Sequence, residues 1–337
     1  MSIYDSKPWL GRYDTGQPAE ISREFTDAFQ LSKTVSGKLL RRELRARGWP
    51  MVAAVAGRIS FGRLPAGQGD RAGHGDRGGH GARMDDLIRC EPAGEITTVT
   101  LDSPASRNAL SSTLLTQLHH ALADALGDPG CRVIVLTGAG PVFSAGADLK
   151  ESRTNPAAAP ELFPRILQLI WDSRKPVIGR VNGSARAGGI GLIAACDIAI
   201  APQAATFAFS EVRVGAAPAI IAVPCLRRME PRAAAEYFLT GEAFNAQRAA
   251  EIGLLTRAVP KTGLDEETAR YADLLLRGAP GALADTKRVL REVGSMPVAT
   301  GLARMAELSA ARFASQECRH GMAAFADKRE PDWAARR

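Results

Sequence analysis

Apolar and polar residues begin to alternate with a readable period at about residue 88. Ile96-Thr97-Thr98-Val99-Thr100-Leu101 is β-branched and bounded by Gly94-Glu95 and Ser103-Pro104, which predicts a strand. Leu114, Leu115, Leu118, Leu122 and Leu126 then recur at helical spacing. They predict an amphipathic helix over residues 110–126 with Ser111 or Ser112 as its cap. Arg132 to Thr137 is a continuous apolar run of strand length, stopped by Gly138-Ala139-Gly140-Pro141, and reads as a buried strand. Pro176 to Val181 and Ile198 to Ala201 repeat that signal around a Gly-rich turn and an Ala-rich stretch. Strands recurring among helices at such spacing predict an α/β chain. From about residue 230 the period is helical, with candidate helices at Pro231 to Leu239, Ala246 to Ile252, Leu264 to Leu276 and Val298 to Phe325.

Upstream of Met84 no such period exists. Residues 57–81 contain 9 Gly in 25 positions, too little apolar bulk to offset the entropy of ordering them, so residues 1–83 are expected to be a largely disordered, low-complexity Arg/Gly-rich extension. Residues 1–31 resemble the opening of AMP-forming acyl-CoA ligases but are far too short to be one. Charge follows the same division. Residues 1–83 carry 14 Lys and Arg against 8 Asp and Glu, whereas residues 84–337 carry 29 against 28. The basicity is therefore local and gives no reason to expect a nucleic-acid partner for the rest. An Arg/Gly nucleic-acid tail would want interleaved aromatics, and residues 57–81 offer Phe61 alone.

Five widely spaced cysteines without a C-x-x-C pair fit a reduced setting better than a disulfide framework. No apolar run approaches the roughly 18 residues of a membrane span. The N-terminus lacks a secretory apolar core, and Asp5, Asp14, Glu20, Glu24 and Asp27 break the acid-poor rule of mitochondrial transit peptides. A cytoplasmic protein without a membrane partner is expected.

Three segments carry candidate chemistry. Phe143-Ser144-Ala145-Gly146-Ala147-Asp148-Leu149-Lys150 follows a buried strand, and its small residues let backbone approach a ligand while a turn entering a helix leaves N–H groups free. Val181-Asn182-Gly183-Ser184-Ala185-Arg186-Ala187-Gly188-Gly189 again runs a strand into glycines and a helix. A dinucleotide site there would need an acidic residue ending the next strand, where Ala201-Pro202-Gln203 stands instead. Phe207-Ala208-Phe209-Ser210-Glu211 sets one carboxylate among apolar neighbours. Burial raises such a group toward the range useful for proton transfer, unless Arg213 or Arg180 simply pairs with it. After residue 83 the histidines are His119, His120 and His320. Hydrolytic triads and His-ligated metal sites therefore lack material, and neither a metal nor a redox cofactor is expected.

Taken in order, Asn108-Ala109-Leu110, Phe143 to Lys150, Val181-Asn182-Gly183 with Gly188-Gly189, Ala195-Cys196-Asp197-Ile198, Phe207 to Glu211, Tyr237-Phe238-Leu239-Thr240-Gly241, Ala249 to Leu254 and Gly321 to Trp333 resemble the crotonase (enoyl-CoA hydratase/isomerase) superfamily across residues 84–337. The resemblance implies a ClpP/crotonase-like spiral of ββα units over about residues 84–275. It further implies a C-terminal helical trimerisation layer over about 276–337, and assembly as a homotrimer or dimer of trimers. It implies an acyl-CoA thioester substrate, with CoA part of that substrate and not a cofactor. The thioester oxygen would be held by the backbone amides of Ala147 and Gly188. Ala109, Ala145, Asp148, Leu149 and Gly189 would line the substrate groove, mostly through backbone, and Lys328 would reach CoA on a neighbouring subunit.

The resemblance also marks a departure. Fuller hydratases of this superfamily use two glutamates on one water. Glu211 matches the second, and Gly191 stands where the first would be. Hydration of a 2-enoyl-CoA with Glu211 as sole acid/base is the leading expectation. A 3-methylglutaconyl-CoA-type hydratase, an enoyl-CoA isomerase and a silent acyl-CoA-binding paralogue are the alternatives. Arg186, in the second loop, is a candidate for reading a carboxylated acyl tail, against the plainer expectation of an exposed loop arginine.

Overall fold

A computed structural model describes residues 86–154 and 161–335, so the expectations for residues 1–83 lie outside the described residues. Strands β1 (Ile88–Ala93) and β2 (Ile96–Leu101) form an antiparallel hairpin about Gly94, whose φ of 59° suits a residue without Cβ. Helix α1 (Ser112–Gly127) follows, capped by the Ser111 hydroxyl accepting the Leu114 N–H. It buries Leu114, Leu115, Leu118 and Leu122, leaving His120 exposed and His119 half-buried.

The chain then crosses repeatedly between two sheets. Strand β3 (Val133–Gly138) lies in the large sheet and β4 (Val142–Ser144) in the small one. Helices α2 (Leu149–Thr154) and α3 (Leu162–Asp172) lead back to β5 (Val177–Arg180) in the large sheet. Strand β6 (Ser184–Arg186) joins the small sheet, α4 (Gly188–Ala195) returns the chain, and β7 (Ile198–Pro202) and β8 (Thr206–Ala208) repeat the pair. Each turn is a strand in one sheet, a strand in the other and a helix, which is the ββα spiral expected. Helices α5 (Ala219–Cys225) and α6 (Pro231–Thr240), strand β9 (Phe244–Asn245), helix α7 (Ala246–Glu251) and strand β10 (Arg257–Val259) complete the core. The large sheet has the order β1-β2-β3-β5-β7-β10, and all its pairs after the hairpin are parallel. The small sheet has the order β4-β6-β8-β9.

Burial on both faces explains why β3 reads as an unbroken apolar run. Ile134 and Leu136 enter the main core with α1. Val133 and Val135 pack on Leu264, Ala272 and Leu276 of helix α8 (Leu264–Leu276) beneath the sheet. The 3-residue strands of the small sheet are too short to show a period.

Helices α9 (Pro280–Glu292), α10 (Val298–Phe313) and α11 (Gln316–Ala326) follow α8. The single helix expected over Val298 to Phe325 is two, because Ser315 interrupts it and caps the second through the Cys318 N–H at 3.1 Å. Arg132 holds the end of the chain to the large sheet. Its guanidinium donates to the Trp333 carbonyl at 2.7 Å and to those of Leu276 and Gly278 at 2.8 Å, beside Glu95. Among the described residues no helix is long and apolar enough to cross a membrane.

Lys287 of α9 supplies a second tie. Its buried ammonium lies 2.6 Å from Asp197, at the start of β7, and donates to the Lys175 carbonyl at 2.9 Å. Removing one member of such a pair strands the other charge. Lys287→Ala is therefore expected to lower unfolding free energy by about 3 kcal/mol, read as a lower urea midpoint. Arg89→Ala, in the exposed pair with Glu91, should cost less than about 1 kcal/mol by the same measurement.

Candidate functional site

The loops after β4, β6 and β8 leave from the carboxyl ends of three adjacent parallel strands, and they carry the three segments singled out in the sequence. The first is pinned to the approach to α1. Leu110 N–H donates to the Gly146 carbonyl at 2.8 Å, Ala145 N–H to the Arg107 carbonyl at 2.9 Å, and Leu110 bridges Ala147 in parallel. Gly146 has φ 84°, and a Cβ there would stand 2.8 Å from the Arg186 carbonyl oxygen and 2.9 Å from Ala187 Cβ. Only glycine lets the first two loops come so close.

The second loop turns sharply at Ala187, whose φ of 48° and ψ of −119° is a backbone state that residues with a side chain seldom hold. The turn starts α4 at Gly188, so this amide is among those without a helical acceptor. Neither Ala147 N–H nor Gly188 N–H donates a hydrogen bond to any other described residue. A Cβ on Gly188 would meet Leu110 Cδ1 at 2.9 Å and Phe163 at 3.4 Å, and one on Gly189 would meet Ser144 Cβ at 2.8 Å. Both glycines are therefore sites of close packing around the free amides.

The third loop is reached through the register of the small sheet. Arg186 pairs with Ala208, and Ala187 N–H donates to the Ala208 carbonyl at 3.1 Å, which sets Gly188 alongside the stretch leading to Glu211. Phe207 and Phe209, both fully buried, anchor that stretch against Phe238 and Phe244, and Phe244 in turn packs on Tyr237. Glu211 opens a short 3₁₀ turn, Ser210–Val214. Its Oε2 is buried and has no hydrogen-bond partner among the described residues. The arginines considered as partners are engaged elsewhere: Arg180 with Asp265 at 2.5 Å, and Arg213 with the Thr240 carbonyl. Burial pushes the Glu211 carboxyl up from its usual value, opposed in part by a hydrogen bond from its own backbone.

Helix α5 joins these parts. Ile221 packs on Gly191, where a Cβ would stand 2.5 Å from Ile221 Cγ2 and 3.5 Å from Phe163. One turn on, buried Cys225 feels the Glu211 charge, and burial together with that charge pushes its thiol up. The position where a second carboxylate would stand is thus walled by Ile221 and Phe163.

The remaining candidates divide. Ala109 and Ala145 are half-buried beside the paired backbone, and Leu149, 59% exposed, follows Ala147 at the surface. Asp148 caps α2, its Oδ1 accepting the N–H groups of Lys150 at 2.9 Å and Glu151 at 3.2 Å. Lys328 is exposed after α11, its N–H donating to Phe325, and no hydrogen bond among the described residues joins it to the three loops. Arg186 departs from both expectations. It is half-buried and turns back to Thr206 at the amino end of β8, donating to its carbonyl at 2.6 Å and hydroxyl at 2.9 Å, away from the strand ends that carry the loops. Sequence reasoning missed Phe163 and Ile221, whose part depends on packing with no local signal. Among the described residues no three His, Cys, Asp or Glu side chains gather as a metal site.

Residues 91–336 match the family model described as enoyl-CoA hydratase/isomerase. The 2,3-dehydroadipyl-CoA hydratase of Escherichia coli is 33% identical over 241 residues, covering 71% of this chain and 94% of that protein. The carnitinyl-CoA dehydratase of Salmonella typhimurium is 31% identical over 264 residues, covering 75% and 100%. A crystal structure of an enoyl-CoA hydratase from Shewanella pealeana superposes with a TM-score of 0.70 at 31% identity, over 74% of this chain and 97% of that one. Fold, sequence and matched length agree, and the chain belongs to the enoyl-CoA hydratase/isomerase family of the crotonase superfamily.

Proposed function

We propose that the protein hydrates a 2-enoyl-CoA to a 3-hydroxyacyl-CoA, using Glu211 as its single acid/base and the amides of Ala147 and Gly188 to hold the thioester oxygen. The observation that carries this reading is a buried Glu211 oxygen and two backbone N–H groups, carried on three neighbouring loops, that have no hydrogen-bond partner among the described residues. The Glu211 carboxylate takes a proton from water as the oxygen adds to C3. The C2–C3 π electrons move through the carbonyl to give an enolate whose oxygen accepts both amides, and protonated Glu211 then returns its proton to C2. Each preorganised donor is worth about 3 kcal/mol of barrier. The names of the dehydroadipyl-CoA and carnitinyl-CoA relatives support addition or loss of water on a CoA thioester. No metal or redox group enters this scheme, so turnover should withstand a chelator.

One observation favours a second reading. Ile221 and Phe163 place no polar atom against Gly191 to help hold a water. An enoyl-CoA isomerase, moving one proton from C2 to C4 through a dienolate held by the same two amides, needs only Glu211 as its base. Assembly as a homotrimer or dimer of trimers in the cytoplasm belongs to the same proposal. Exposed Leu290, Val298, Leu302, Phe313 and Phe325 on α9 to α11 are the surface such an assembly would cover, and light scattering of the purified protein tests it.

Crotonyl-CoA, 3-methylglutaconyl-CoA and a 3-enoyl-CoA, each given to the full chain, separate hydration from isomerisation. Binding of CoA esters with no turnover of any of them would sink both. Glu211→Gln should lower kcat about 10²- to 10⁴-fold while CoA ester binding persists, and unchanged turnover would remove Glu211 from the mechanism. The working form of Glu211 in the free enzyme is the carboxylate, and burial raises its pKa. The acid limb of kcat/KM should therefore lie above the usual value of about 4.3, with activity lost as pH falls through it, and disappear in Glu211→Gln. Gly191→Glu alone should not add hydratase activity and should lower the melting temperature, because its Cβ collides with Ile221. Pairing it with Ile221→Ala should restore the melting temperature, as differential scanning fluorimetry would show.

A further inference from the structure

Glu151 belongs to none of the groups assigned above, yet its carboxylate closes a ring around Ala147. Helix α2 begins just after that amide. From it, Glu151 Oε2 accepts the Ser112 N–H at 2.8 Å and Oε1 accepts the Ser112 hydroxyl. Ser112 is the first residue of α1, whose leading amides have no helical acceptor, so the carboxylate sits on the positive end of a 16-residue helix. Two residues earlier, Leu110 donates to Gly146 and bridges Ala147. Segments 110–112 and 146–151 are thus pinned at both ends, with the Ala147 peptide between the pins.

Helix α2 is six residues long, Leu149, Lys150 and Arg153 are exposed, and none of its described side chains is buried. Among the described residues no side chain docks it by apolar burial, which gives polar contacts such as this one weight in holding it. Asp148 shapes its first turn from within, whereas Glu151 ties it to another element.

We infer that Glu151 is a positioning residue: by docking α2 on the amino end of α1 it fixes the direction of the Ala147 N–H, and so sets enolate stabilisation without touching the thioester. This rests on the reading of the Ala147 and Gly188 amides given above. It predicts a loss concentrated in kcat and in enolate binding, with CoA affinity largely kept.

The test uses acetoacetyl-CoA, whose enolate absorbs in the near ultraviolet, with the full chain and its Glu211→Gln, Glu151→Gln, Glu151→Ala and Ser112→Ala variants. Wild type should raise enolate absorbance on binding. Glu151→Gln should lower both that signal and kcat about tenfold or more, while the dissociation constant of free CoA shifts less than about twofold. Ser112→Ala, which removes one of the two bonds, should give a smaller loss. Added to Glu151→Gln it should give almost none, as expected for residues acting through one contact. Enolate absorbance in Glu151→Gln equal to wild type overturns the proposal. So does a fall in CoA affinity matching the fall in kcat, or additive losses in the double variant. Absence of the signal from wild type and Glu211→Gln alike would instead overturn the amide reading. If Glu151→Ala fails to fold, the near-isosteric Gln variant and Ser112→Ala still decide the question.

Discussion

The buried side chain of Asn108 holds the parts of this structure in relation to one another. Where the chain leaves β3 for β4 it crosses between sheets, and the carbonyls of the crossing lose their ladder partners. Left unpaired inside the protein, each would cost about 1–3 kcal/mol. Asn108 Nδ2 donates to the carbonyls of Ala139 at 3.0 Å and Val142 at 2.9 Å, while its Oδ1 accepts the Ser103 N–H at 2.9 Å. Its own carbonyl accepts the Ser144 hydroxyl at 2.8 Å. These bonds offset two successive left-handed residues, Arg107 at φ 57° and Asn108 at φ 52°, a conformation Asn tolerates better than most. The turn they hold brings Leu110 against Gly146, and everything said of Ala147 follows from that contact. Asn182 serves the same crossing from the other side, with Oδ1 on Gly138 N–H and Nδ2 on the Gly140 carbonyl.

A spiral that returns to the small sheet after each pair of strands stacks the ends of β4, β6 and β8 side by side. Loops from distant parts of the sequence therefore meet through the strand register itself. What they bring is chiefly backbone, and backbone can approach backbone only where no Cβ intervenes. Gly146 shows how close the approach is, since a Cβ there would stand 2.8 Å from the Arg186 carbonyl oxygen. The glycines of the first two loops are thus structural requirements before they are chemical ones. Ala187 carries the strain of the second turn, and its methyl group packs against Gly146 across the gap.

This explains which features can be read along the chain and which cannot. β2, β3 and α1 announce themselves because each buries a periodic or continuous apolar set. β4, β6 and β8 do not, since three residues contain no period, although the small residues after them mark the loops. Asp148, expected to line the groove, is found capping α2, a role its place directly before a helical turn suits. The isolation of Glu211 is not: Arg213 is two residues away and stays unpaired with it only because the 3₁₀ turn carries that side chain to Thr240. Arg186 reads as a loop cation, yet the parallel register of β6 and β8 sets Thr206 where its guanidinium finds three acceptors. The wall formed by Phe163 and Ile221 depends on how α3 and α5 lie over α4, which no local pattern encodes.

That wall bears on how the chemistry divides. Stabilising an enolate requires only the two amides, and these are indifferent to whether a proton or a hydroxyl has reached the substrate. The distinction lies in who holds the water. With Gly191 against Ile221 and Phe163, a water beside C3 finds no second carboxylate to accept from it. Its orientation rests on Glu211, whose buried oxygen, without a partner among the described residues, provides one acceptor. Burial of that oxygen raises its basicity and at the same time makes a poorly held water more costly to place. The two effects oppose each other for hydration, whereas proton transfer within the substrate gains from the first and is spared the second. In the proposed scheme the balance between addition and isomerisation is therefore set at Gly191 and Ile221 together, as one packed contact, and not by the presence or absence of a single acid.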